Sequence, residues 1–120
     1  MKKSMSELIV IIITLALAII VTLTQNFNDT EYTITVTDKE RVVTQKSSYY
    51  LVFGEDESEN VLVFENADTL FRGKFDSSNI QGELKIGGTY TVTVVGYRIP
   101  FLSMYQNIIE VEEIDNENPN

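Results

Sequence analysis

Tyr32-Thr33-Ile34-Thr35-Val36-Thr37 alternates large apolar residues with threonine. A period of two puts Tyr32, Ile34 and Val36 on one face and three β-favouring threonines on the other, the pattern of a strand buried on one side. This is the clearest strand in the chain. The alternation returns in Thr89–Tyr97, with Tyr90, Val92 and Val94 predicted inward, after a turn at Gly87-Gly88. Between them, Tyr49–Phe53 and Val61–Glu65 are β-rich runs on either side of the charged stretch Gly54–Asn60, and read as a hairpin with a long loop. Asn107–Ile114 supplies a last strand, in which Ile109 and Val111 are expected inward and Glu110 and Glu112 outward.

The stretch Asp68–Leu84 does not alternate. Asp76-Ser77-Ser78 can cap a short helix from about Asn79 to Leu84, with Gly82 limiting its stability. The order is then three strands, a helical insert and two strands, as in an OB-type barrel of five strands. The expected fold class is mainly β: an N-terminal transmembrane helix followed by a small five-stranded OB-like β-barrel with a short helical insert. A sandwich-like barrel of five or six strands is the alternative. The barrel domain is expected over residues 32–114, and the tail 115–120, which has no apolar residue, is expected to be disordered.

Upstream of the first strand, Leu8–Thr24 is an uncharged run of 17 residues, 12 of them Leu, Ile or Val. At roughly 0.3 to 0.6 kcal/mol per strongly apolar residue, the run favours the bilayer by about 5 kcal/mol. Its helical length of about 25 Å falls a little short of a hydrocarbon core of about 30 Å, so flanking residues such as Phe27 belong at the interface. A cleaved signal peptide and a buried core helix compete with this reading. The one small-residue cleavage pattern, Ala16-Leu17-Ala18, lies inside the run, and the segment has no polar face. An uncleaved signal anchor is therefore expected at 8–24, with a tail at 1–7 and a linker at 25–31. Lys2 and Lys3 precede the run and the next basic residue is Lys39, which predicts a cytoplasmic N-terminus and an extracytoplasmic barrel on a single-pass protein of the cytoplasmic membrane.

After the anchor, 7 Lys or Arg face 17 Asp or Glu, a formal charge of −10 that repels phosphate backbones. A nucleic-acid-binding OB domain combines a positive groove with stacking aromatics, so that alternative ranks below a protein or other envelope partner. The chain has no His and no Cys, so a base near neutrality, a thiol nucleophile and the usual nitrogen and sulfur metal ligands are missing. No nucleophile elbow, Ser-x-x-Lys or phosphate loop is present. No enzyme activity, no cofactor and no metal are expected; a carboxylate-dependent enzyme is the remaining catalytic alternative. Glu55, Asp56, Glu57 and Glu59 lack the glycine and distal glutamate of an EF-hand loop and read as a solvated hairpin tip.

Two stretches invite a functional reading. The connection GYRIPFLSMYQN (96–107) joins two strands yet is rich in large apolar side chains, where a connection is normally polar. Either Ile99, Phe101 and Leu102 fold back to close the barrel, or the loop stays exposed as a contact patch whose candidate residues are Tyr97, Arg98, Phe101, Met104 and Tyr105. With closure, Arg98 would pair with Asp76 or Glu83. The second stretch, Arg72-Gly73-Lys74, concentrates two cations, which balance the acidic surface locally or, with Arg98, form an anion site.

The phrases DTLFRGKFDSSN (68–79) and GYRIPFLSMYQNII (96–109), together with the anchor and YTITVTDKERV (32–42), are familiar as a set. The chain resembles a family of small single-anchor bacterial and phage proteins classed as a domain of unknown function. Tyr97 stands where such relatives more often have Trp, and Gln106 where Pro is expected. The resemblance implies a prokaryotic or phage setting and assigns no catalytic residue. The sequence thus leads to a membrane-anchored extracytoplasmic binding or interaction module without a named ligand.

Overall fold

The computed structural model describes residues 4–102 and 104–114, so Lys2 and Lys3, on which the expected orientation rests, lie outside the described residues with Met1, Ser103 and the tail 115–120. Its elements are α1 (Met5–Phe27), β1 (Thr30–Val43), β2 (Ser48–Glu55), β3 (Val61–Asn66), α2 (Ser77–Glu83), β4 (Thr89–Val95) and β5 (Asn107–Glu113), with single 3-10 turns at Leu70–Arg72 and Pro100–Leu102. The strands close into a barrel in the order β1-β2-β3-β5-β4. This is the OB-like arrangement expected from the element order, with α2 as the helical insert.

Closure depends on β1. Its first half pairs with β4, from Thr30 against Val94 to Thr35 against Thr89, and its second half pairs with β2, from Asp38 against Phe53 to Val43 against Ser48. The register slips at Thr37, between the two halves. A bulge of this kind bends a strand and sharpens its twist, which lets one strand serve both edges of the barrel. The second bulge sits between β4 and β5, where Thr93 faces Glu110 and Val94 faces Ile108. It corrects the predicted facing of β5: Ile108 is fully buried and Ile109 only half-buried, while Val111 packs on the core as expected.

Ile34, Val36, Val52, Phe64, Tyr90, Val92, Val94 and Ile108 fill the barrel, and Ile80 and Leu84 of α2 plug one end. The helix N-terminus differs from the prediction. The Asp76 side chain makes no capping bond; instead Asp68, from the preceding loop, accepts from the Ser77 amide at 3.1 Å and the Ser77 hydroxyl at 2.6 Å. Those bonds hold the Asp68 carboxyl below the usual carboxylate range.

α1 starts with a capping box, Ser4 accepting from the Glu7 amide and Glu7 accepting from the Ser4 amide. None of its residues is buried, and it is long and apolar enough to cross a membrane. The molecule measures 75 × 30 × 28 Å, so the helix, about 35 Å long, projects from the barrel rather than lying along it. Because α1 runs on to Phe27 and β1 begins at Thr30, only Asn28 and Asp29 connect anchor to barrel.

Candidate interaction surface

The last turn of α1 is polar, Gln25-Asn26, and both side chains are half-buried against the barrel. Asn26 donates to the Thr22 carbonyl at 2.9 Å and accepts from the Thr69 hydroxyl at 3.2 Å. Arg72 completes the joint. Its guanidinium donates to the Asn26 carbonyl at 2.8 Å, pairs with both carboxylate oxygens of Asp29 at 2.6 and 3.1 Å, and lies 5.1 Å from the Phe27 ring centroid. A helix C-terminus leaves carbonyls unpaired and favours a cation, and α1 has no basic residue in its own last turn. Arg72 supplies that charge from a distant loop. The hydrogen-bonded pairing holds the Asp29 carboxyl below the usual carboxylate range and pushes the Arg72 guanidinium above its ordinary value. On the other side, a Cβ on Gly96 would stand 3.2 Å from the Gln25 amide, and Gly96 has a φ of 98°, so both space and backbone favour glycine there.

Two short turns flank this joint and share one construction. Thr69 and Lys74 exchange backbone hydrogen bonds at 3.0 Å around the Leu70–Arg72 turn, which Gly73 ends at a φ of 62°. Ile99 and Met104 do the same, at 3.0 and 3.1 Å, around the Pro100–Leu102 turn. Each presents an adjacent leucine and phenylalanine to solvent: Leu70 and Phe71 in one, Phe101 and Leu102 in the other, with Leu70 78% and Phe101 86% exposed. Gln25 and Asn26, Asp68 and Thr69, and Met104 and Tyr105 line one open depression of about 370 Å³, which places helix end and both turns at the same end of the barrel.

The five residues singled out in the sequence therefore fall on one turn, but not as a uniform patch. Tyr97, Arg98 and Phe101 are exposed, while Met104 and Tyr105 are half-buried beneath them. Closure of the barrel by Phe101 and Leu102 is ruled out by their exposure; only Ile99 is half-buried. Arg98 does not reach Asp76 or Glu83. It clasps its own loop, donating to the Met104 carbonyl at 2.9 Å with its guanidinium 4.3 Å from the Tyr105 ring centroid.

Local balance of the acidic surface describes Arg72, which pairs with Asp29, but not Lys74, and Arg98 does not join them in an anion site. Arg72 joins the anchor, and Lys74 is 5% exposed. Its ammonium donates to Asn66 Oδ1 at 2.7 Å and to the Ile108 carbonyl. Asn66, fully buried, passes the network on to the Ser77 carbonyl and Gln81 Oε1, both at 2.9 Å, and Gln81 donates to the Leu51 carbonyl. Burial pulls the lysine down to about 8 against the opposing pull of Asp76, Asp68 and Glu65. Burial also raises Glu65. An amine near neutrality invites a catalytic reading, yet this one points into the barrel wall and is held by two acceptors, as a structural tie would be. Among the described residues no group of three or more acidic side chains is placed to hold a metal ion. At the β2–β3 tip the Asp56 carboxylate is taken by its own loop, accepting from the Ser58 and Asn60 amides and the Asn60 side chain.

Sequence reasoning missed Asn26, Asp29, Leu70, Phe71 and the burial of Lys74. The one available signal was the leucine–phenylalanine pair, which recurs reversed in the two turns.

The chain belongs to the family described as Protein of unknown function (DUF1523), whose model matches residues 7–120. No curated protein matches it.

Proposed function

We propose, taking membership of the DUF1523 family as the premise, that the chain is a non-catalytic interaction module held by a signal anchor just outside the cytoplasmic membrane, its N-terminus cytoplasmic. Its working surface is the anchored end of the barrel, where Tyr97, Arg98, Phe101, Met104 and Tyr105 meet an envelope component. One observation supports this reading: the large apolar side chains of Phe101 and Leu102 are exposed on a turn that lies at the helix end of the barrel. The net charge of −10 after the anchor speaks against nucleic acid as the partner, and the absence of His and Cys against most catalytic chemistries.

Site-specific photo-crosslinking in intact cells tests the surface. A crosslinker at Phe101 should trap an envelope component, whereas one at Glu57, on the hairpin tip, should not. Equal capture at both positions would overturn the surface. Topology is read separately with a membrane-impermeant thiol reagent on Ser58→Cys, since the chain has no cysteine of its own. Protection of that thiol until cells are lysed would overturn the extracytoplasmic placement.

A further inference from the structure

Leu70 and Phe71 belong to a turn whose next residues in either direction, Thr69 and Arg72, are hydrogen-bonded to Asn26. Asn26 lies two residues past the apolar run, about 3 Å along the helix axis. The first turn is thereby fixed at the depth where hydrocarbon gives way to headgroups. The second turn leaves the barrel at Gly96, against Gln25, and returns through Met104 and Tyr105 beside the same helix end. Both turns thus lie at the helix end of the barrel, and each carries two large exposed apolar side chains.

Their chemistry suits that depth. Phenylalanine and leucine partition into the boundary between acyl chains and headgroups; tyrosine rings such as Tyr97 and Tyr105 sit at its polar edge, and arginine heads reach phosphate. The other exposed large apolar residues of the domain, Val43, Val61, Phe75 and Ile86, are single, two at strand ends and two in connections, as on any soluble surface. The two-residue connection Asn28-Asp29, pinned by Arg72, also gives the barrel little freedom to swing away.

We propose that the two turns form a membrane-contact foot, in which Leu70, Phe71, Phe101 and Leu102 insert into the leaflet from which α1 emerges. The occupant of the apolar surface is the lipid of that bilayer. This rests on the anchored-module reading and narrows its envelope component to lipid. The foot fixes the orientation of the barrel as well as its distance, so that the opposite end, with the β2–β3 loop and the Gly87-Gly88 turn, faces away from the membrane.

The test uses the full chain reconstituted in vesicles of phosphatidylcholine and phosphatidylglycerol. Single cysteines at Phe71, Phe101 and, as a control, Ser58 carry an environment-sensitive fluorophore, and quenching is compared between lipids spin-labelled near the headgroup and aqueous iodide. Labels at 71 and 101 should emit to the blue and lose intensity with the quencher lipid, while the label at 58 responds to iodide alone. Iodide quenching at 71 and 101 equal to that at 58 would overturn the foot. Shielding of both labels from iodide and from quencher lipid would overturn it too, since a protein or a second copy would then cover the turns. Phe101 is exposed, so its substitution leaves the fold standing; the outcome does not depend on sidedness in cells, so this proposal and the topology can fail separately.

Discussion

The turns at 69–74 and 99–104 are built alike and fastened differently. Each is closed by a reciprocal backbone pair around a 3-10 turn, and each exposes a leucine and a phenylalanine. The first is rooted at both ends: Arg72 grips the end of α1 and Asp29, and Lys74 descends into a buried network with Asn66 and Gln81. The second, among the described residues, is tied to itself through Arg98, the Met104 carbonyl and Tyr105. One surface therefore has a rigid half that joins anchor to barrel and a locally held half that is cheaper to alter. Mutations should separate the two.

The largest effect is expected at the root. Asn66→Ala removes the acceptor of a buried ammonium and the donor to Gln81 and Ser77, leaving a charge and two oxygens poorly paired in the barrel wall. Broken buried networks of this kind cost about 3 kcal/mol or more. Urea unfolding of the full chain in detergent should show that loss as a lower midpoint. A loss below about 0.5 kcal/mol, the size of a neutral surface change, would mean the first turn is no better rooted than the second.

Next comes the pH dependence of the same root. Lys74 is held at about 8 in the folded chain against an ordinary value of 10.5. Below pH 8 folded and unfolded chains are both protonated and burial of the charge is penalised in full. Between 8 and 10.5 the folded chain gives up its proton first, the unfolded chain binds more, and stability rises with pH. The gain attributable to Lys74 is up to about 3 kcal/mol. The informative quantity is the difference from Lys74→Met, which isolates the lysine from every other group. The unsubstituted protein should gain stability on Lys74→Met between pH 7 and 10; parallel curves would remove the lysine from this account.

How much of this was legible follows from what each feature depends on. Tyr32–Val36 and Tyr90–Val94 showed their alternation because one face packs on the core and the other meets water, a local pattern with a local cause. The second half of β1, from Asp38 to Val43, carried no such pattern: beyond the bulge it is mostly exposed, and its partner β2, not its own sequence, makes it a strand. Ile108 and Ile109 are adjacent and alike, and only the bulge opposite Thr93-Val94 decides which turns inward. In the site, GYRIPFLSMYQN was visible because apolar residues stand out in a connection. Leu70 and Phe71 do not stand out in a stretch without alternation, upstream of the helix expected at Asn79–Leu84, and nothing local to Lys74 announces an acceptor eight residues upstream.

A smaller effect is expected at the joint with the anchor. Arg72→Ala loses a partly exposed ion pair, a bond to the Asn26 carbonyl and the stacking on Phe27, together about 1 to 2 kcal/mol. The more telling readout is motional: a spin label on the barrel should tumble more freely relative to the helix in Arg72→Ala than in the unsubstituted chain. Equal mobility would show that Asn28-Asp29 alone sets the orientation.

The smallest stability effect and the largest functional one should coincide at Phe101. Its side chain is nearly free of the barrel, so Phe101→Ala should leave the unfolding midpoint within about 0.5 kcal/mol of the parent. Arg98→Ala should cost somewhat more, about 1 kcal/mol, because it opens the clasp on Met104 and Tyr105. Lipid contact should rank the other way round. Phe101→Ala removes an inserted ring, while Arg98→Ala frees the turn and keeps its apolar tip. If a headgroup-level quencher lipid reaches a fluorophore at position 97 less in Phe101→Ala than in Arg98→Ala, then contact at the second turn resides in exposed apolar area and not in fold stability. The reverse ranking would make the clasp the feature that matters, and the two turns would then be alike in needing a root.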